Sequence, residues 1–129
     1  MRKALLLLFF VFTLTGAAAA FAEENVEMAR YYMVFLRRGP AWTPESTPET
    51  KAIFEGHMAN IKRLAAEGKL VIAGPFLEQT GKGSLAGLFI FRVETVDETK
   101  ALVETDPAVK AGRLAYEIVP WLGPKTLHY

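Results

Sequence analysis

The sequence predicts an α+β domain of the ferredoxin-like type, βαββαβ, and three observations carry that expectation. Four stretches are rich in aromatic and β-branched residues, with turn-forming residues between them. Two segments with helix-starting signatures separate the first stretch from the second and the third from the fourth. The first three stretches also carry apolar residues at consecutive positions, so both faces of their sheet need a cover. Two helices cover only one face of a four-stranded sheet, and an apolar face left wet is unfavourable in a domain this small. Pairing two such sheets face to face about a twofold axis closes it, so the expected assembly is a homodimer forming a dimeric α/β barrel.

The amino terminus stands outside this pattern. A basic start, Met1-Arg2-Lys3, precedes an apolar run from Ala4 to Leu14, small residues, and the A-x-A pattern Ala20-Phe21-Ala22 before Glu23. That is the layout of a secretory signal peptide, residues 1–22, with cleavage after Ala22. An uncleaved anchor is the alternative, because a bilayer needs about 20 apolar residues, but the alanine-rich second half and the cleavage pattern favour removal. The chain has no cysteine, which excludes a lipid-modified cysteine and any disulfide. The expectation is a periplasmic or secreted protein with no membrane attachment after cleavage.

Removing the first 22 of 129 residues leaves 107, enough for one domain spanning residues 23–129. Of 15 basic residues, Arg2 and Lys3 leave with the leader, so 13 face 14 acidic ones. With no basic cluster longer than Arg37-Arg38, nucleic acid is a poor partner.

Taken in order, Arg30 to Arg37 (RYYMVFLR) is the first strand. Arg38 to Glu45 holds Gly39, Pro40 and Pro44 and reads as a loop: a lid over a site, or a plain connector with Trp42 packed down. Helix one starts at Ser46-Thr47-Pro48-Glu49, where a hydroxyl caps free amides and proline fits the first turn, and it runs to Glu67. Phe54, Met58, Ile61 and Leu64/Ala65 recur at helical spacing, and His57, four residues from Ile53 and Ile61, points with them toward the sheet. Gly68 ends the helix.

The second strand, Lys69 to Phe76, contains Pro75, which marks an edge or the end of pairing. The turn Glu78 to Ser84 then leads to the third strand, Leu85 to Val93. Gly81-Lys82-Gly83-Ser84 lacks the spacing of a phosphate loop and joins two strands, so it is rejected as one. Thr95-Val96-Asp97-Glu98 is a T-x-x-E capping box for helix two, with Ala101, Leu102 and Val103 facing inward. Asp106-Pro107 stops that helix, and Arg113 to Trp121 is the last strand, followed by a tail to Tyr129.

Several of these residues together resemble the YCII family. They are His57 on helix one, Gly68-Lys69-Leu70, Ala73-Gly74-Pro75-Phe76, Asp106-Pro107-Ala108 with Ala111-Gly112, and Pro120-Trp121. The similarity runs from about Tyr31 to Gly123. It implies a dimeric α/β barrel and a histidine-aspartate pair, here His57 and Asp106, as the site. It implies no single reaction, since one branch resembles a dechlorinating enzyme acting on a chlorinated hydroxyquinol and most members are uncharacterised. A signal peptide is unusual for the family and argues against a cytoplasmic metabolic role.

As chemistry the pair is a general acid/base. A carboxylate holding one imidazole nitrogen fixes the tautomer and raises the basicity of the other, which takes a proton from a bound substrate. Proton abstraction beside a carbonyl, isomerisation and elimination of a leaving group such as halide are the matching lyase, isomerase or dehydrohalogenase reactions. His57 as a hydrogen-bonded core residue and Asp106 as the cap of a short helix at Pro107 are the structural alternatives. Trp42, Gly74, Pro75, Phe76 and Trp121 are candidate walls of a pocket for a small, flat or aromatic ligand; as large aromatics, Trp42, Phe76 and Trp121 also suit a core or a dimer interface. His128 is a surface residue, and with two histidines and no cysteine neither a metal nor another cofactor is expected. A non-catalytic periplasmic binding module and a cofactor-free monooxygenase of the dimeric-barrel type stay open beside the acid/base enzyme.

Overall fold

The structure, a computed structural model, describes residues 25–129; the signal-peptide expectation for residues 1–22 lies outside them. The elements follow the order β1 (Met28–Arg38), α1 (Pro48–Ala66), β2 (Leu70–Pro75), β3 (Leu85–Phe91), α2 (Val96–Val103), α3 (Pro107–Lys110) and β4 (Leu114–Pro124). The four strands form one antiparallel sheet in the order β2-β3-β1-β4. This is the α+β, ferredoxin-like arrangement that the sequence predicts, with α3 as a short addition. β2 and β4 are the edges, which is why Pro75, Pro120 and Pro124 are tolerated: the amide a proline lacks costs nothing where no neighbouring strand needs it.

Both long helices begin as their sequences dictate. The Thr47 hydroxyl accepts the Thr50 N–H at 3.1 Å, while the Thr50 hydroxyl accepts the Thr47 N–H at 2.9 Å. Thr95 caps α2 by accepting from Glu98 N–H, and the Glu98 carboxylate reaches one residue further back than expected, to the Glu94 N–H. Gly68 takes a φ of 72° just after α1, a left-handed turn that an L side chain resists.

Alternation along the strands sorts side chains between two layers. Val34 and Leu36 of β1 and Phe89 and Phe91 of β3 meet Ile61 and Leu64 of α1 and Leu102 and Val103 of α2. In α2 the inward stripe is Thr99, Leu102 and Val103, and Ala101 is exposed: it falls outside the three- and four-residue spacing that faces the sheet. Phe54 and Met58 also depart from the expected core stripe, being 62% and 38% exposed.

The opposite face gathers Tyr31, Val71 and Ile90 with Met33, Leu88 and Trp121, and Leu127 of the tail packs on them. Arg92 pins that tail, donating to the carbonyls of Lys125 and Leu127 and to the Tyr31 hydroxyl, which itself donates to Pro124 O at 2.6 Å. The chain's own tail thus covers one end of the face for which the sequence offers a second copy or the carboxyl-terminal tail as the cover.

Candidate functional site

α1 carries His57 one helical turn before the core residue Ile61, so the imidazole lies at the border between packed core and open space; its side chain is 14% exposed. Phe89 stacks on the ring at 6.0 Å between centroids and 23° between planes, and Phe54 lies 6.3 Å away. The His57 Nδ1 is 2.6 Å from Oδ2 of Asp106, a residue with no exposed surface. The other carboxylate oxygen, Oδ1, accepts the N–H of Ala108 at 2.8 Å, which makes Asp106 the N-cap of α3. An ionised carboxylate only accepts, so with Asp106 ionised Nδ1–H is the donor of the pair. Asp106 thus contacts His57 through one oxygen and caps α3 through the other.

What brings these residues together is the packing of α1 on α3. Gly56, next to His57, faces Pro107, next to Asp106: a Cβ at Gly56 would stand 3.0 Å from the Pro107 ring. The missing side chain lets the helices approach until the imidazole meets the carboxylate. The sequence held this signal as an isolated glycine inside a strongly patterned helix.

Beside the pair lies a cavity of about 510 Å³, within the roughly 300–1,000 Å³ of small-molecule sites. Its size has a cause in the β2–β3 hairpin. On the helix-facing side the paired positions run from Leu70 opposite Phe91, through Ala73 opposite Phe89, to Pro75 opposite Gly87. Side-chain volume falls along that row, and space opens where it falls. The cavity is further lined by Leu36, Ile53, Phe54, Met58, Trp42 and Leu114, with Arg38 and Arg113 as its cationic lining.

Of the residues singled out in the sequence, His57, Trp42, Gly74 and Pro75 line this cavity, and Asp106 stands directly behind His57. Phe76 and Trp121 do not. The alternation that turns Ala73 and Pro75 toward the cavity turns Phe76 away, and its amide is spent on Ala86 O. Trp121 faces the opposite layer because Leu114, Tyr116 and Ile118 hold the helix-facing positions of β4; its ring packs 5.8 Å from that of Tyr31. Sequence reasoning missed Phe54, Phe89, Arg38 and Arg113. Arg38 was legible in principle, since Val34, Leu36 and Arg38 alternate along one row of β1. Among the described residues no group of three His, Cys, Asp or Glu side chains comes together to hold a metal ion.

Residues 31–122 match the YCII-related domain, a span that runs from within β1 to within β4 and holds both His57 and Asp106. The chain belongs to the YCII family. Among solved structures this YCII chain is similar to 5-chloro-2-hydroxyhydroquinone dehydrochlorinase (TftG) from Burkholderia phenoliruptrix AC1100, in complex with 2,5-dihydroxybenzoquinone. The two are 27% identical with a TM-score of 0.51, over 70% of this chain and 92% of that one. No curated protein matches the chain.

Proposed function

We propose that this YCII protein is an exported, cofactor-independent acid/base enzyme that eliminates a leaving group such as halide from a small, flat molecule, with His57 as the base and Asp106 as its positioning partner. The observation that carries this reading is the 2.6 Å contact of His57 Nδ1 with a fully buried carboxylate, at the wall of a cavity. With Nδ1–H donated to Asp106, Nε2 keeps its lone pair, and among the described residues it has no hydrogen-bond partner. Nε2 takes an acidic proton from the bound molecule; the electron pair left behind moves into the carbon framework and expels the leaving group. Proton and leaving group depart together as the elements of an acid, so no oxidant or reductant takes part. The similarity to a dehydrochlorinase supports elimination over isomerisation.

Export rests on residues 1–22, and pairing of two copies rests on the apolar positions of the second face that the tail leaves open, such as Val119 at 36% exposure. Chloride release from 5-chloro-2-hydroxyhydroquinone and related chlorinated hydroquinones tests the chemistry. Release by the wild-type protein and its loss in His57→Gln support the proposal. Tight binding of 2,5-dihydroxybenzoquinone with no release from any member of the series favours a binding module instead. Amino-terminal sequencing after expression in a Gram-negative host should begin at Glu23, and sedimentation should give twice the mass of one chain.

A further inference from the structure

We infer that the cavity takes a small, flat organic anion, whose charged edge is held by the guanidiniums of Arg38 and Arg113 while its ring lies among Trp42, Phe54 and Phe89. This rests on the proposed acid/base site and names the kind of substrate that site receives.

The two arginines come together because of strand register. Arg38, the last residue of β1, pairs with Leu114 at the start of β4, and Arg113 directly precedes it. Gly39 and Gly112 lock this corner: Gly39 N–H donates to Arg113 O at 2.8 Å, Ala41 N–H donates to Gly112 O at 2.9 Å, and any Cβ at Gly39 would collide with the Gly112 carbonyl. Arg38 lies in the same two-residue row as Val34 and Leu36, so it extends the helix-facing core into the cavity.

Neither guanidinium is neutralised. The ion pairs among the described residues join His57, Arg63, Lys69, Lys100 and Lys125 to carboxylates, and neither Arg38 nor Arg113 is in one. Arg113 donates to the hydroxyl and carbonyl oxygens of Thr43 at 3.2 and 3.0 Å. Arg38 stacks over Trp42, 4.0 Å from the ring centroid, and its side chain has no hydrogen-bond acceptor among the described residues. A guanidinium carries five N–H donors in a rigid fork shaped for two oxygens of one anion. Stacking on the indole holds that fork flat while leaving its donor edge open. The Asp106 carboxylate behind the cavity wall is buried and already engaged by His57 and Ala108. A largely apolar cavity lined by two arginines and, among the described residues, by no Asp or Glu side chain is complementary to a negatively charged guest.

The arrangement also serves the proposed chemistry. When Nε2 of His57 removes a proton, negative charge grows on the substrate, and guanidiniums fixed beforehand at its edge stabilise that charge.

The test compares benzoate with its neutral isostere benzamide in calorimetric titrations of the full mature protein. Benzoate should bind about ten- to hundredfold more tightly, the margin of charge-assisted hydrogen bonds, and its advantage should shrink as salt is raised. Arg38→Gln should erase most of that preference and Arg38→Lys only part of it. His57→Gln should leave it in place, so a failure of the acid/base reading is seen separately, as turnover that is absent from the wild type or kept in His57→Gln while the preference stays intact. Trp42 fluorescence in a Trp121→Phe background checks that the loop keeps its place in the Arg38 variants. Equal binding of the two probes, binding of neither, or an Arg38→Gln protein that keeps the full preference with its Trp42 signal unchanged would overturn the inference.

Discussion

The two ends of the β2–β3 hairpin are made of the same two strands, covered by the same helix layer, and they do opposite things. At the closed end Leu70 and Phe91 pair, and with Leu64 and Val103 they are at most 1% exposed. At the open end Ala73, Gly74, Pro75, Ala86 and Gly87 leave a cavity, and His57 stands where packing gives way to space. The lesson is physical. Large paired side chains convert strand register into stability, and small ones convert the same register into room for a ligand. The candidate site is the place where the core was left unfinished, with His57 held from behind by Asp106, the N-cap of α3.

Substitutions at the two ends should therefore separate function from stability. His57→Gln should lower turnover about 10²–10⁴-fold with little change in the unfolding midpoint, as a steady-state assay beside a urea titration would show. At the closed end Leu64→Ala should cost about 2–5 kcal/mol of stability while ligand affinity in the surviving folded fraction stays near wild type. A cavity variant, Ala73→Leu, should do the reverse, weakening 2,5-dihydroxybenzoquinone about tenfold or more, because the added side chain takes ligand space instead of entering packed core. If Leu64→Ala and Ala73→Leu changed stability and affinity in the same proportion, the division between the ends would not hold.

The smallest effect lies at the edge strand β4. The Tyr116 hydroxyl donates to the Glu104 carboxylate at 2.7 Å, and desolvation, with the Glu104 bond and charge, pushes the phenol pKa up from 10.0 to about 12. The native state then holds this proton more tightly than the unfolded chain. The contribution is fully present below pH 10.0 and lost as pH rises toward about 12. Over that window the urea midpoint of the wild type should fall more steeply than that of Tyr116→Phe.

Element order, caps and the edge prolines were legible in the sequence because each is a local rule. Thr47-Pro48, Gly68, Thr95 and Pro75 stand where short-range sterics and hydrogen bonding demand. His57 was visible as a polar residue in an apolar stripe, and Asp106 as a residue before proline. The cavity was not visible, since it depends on which small residue of β2 pairs with which small residue of β3, and register is a tertiary fact. The same limit explains the misplaced Trp121 and Phe76 and the missed Arg113, whereas Arg38 was legible in principle from the row it shares with Val34 and Leu36. In an apolar run with no polar partner positions, alternation alone does not say which set of side chains faces the helices.

The central claim is that Asp106 fixes His57 so that Nε2 meets the cavity. Ring ¹⁵N NMR reads this most directly, with the His57 signals assigned by comparison with His57→Gln. In the neutral ring the proton should sit on Nδ1, with Nε2 bare and its resonance moving when 2,5-dihydroxybenzoquinone is added. A proton on Nε2 in the free protein, or an Nε2 resonance that stays still while the quinone binds, would contradict the account.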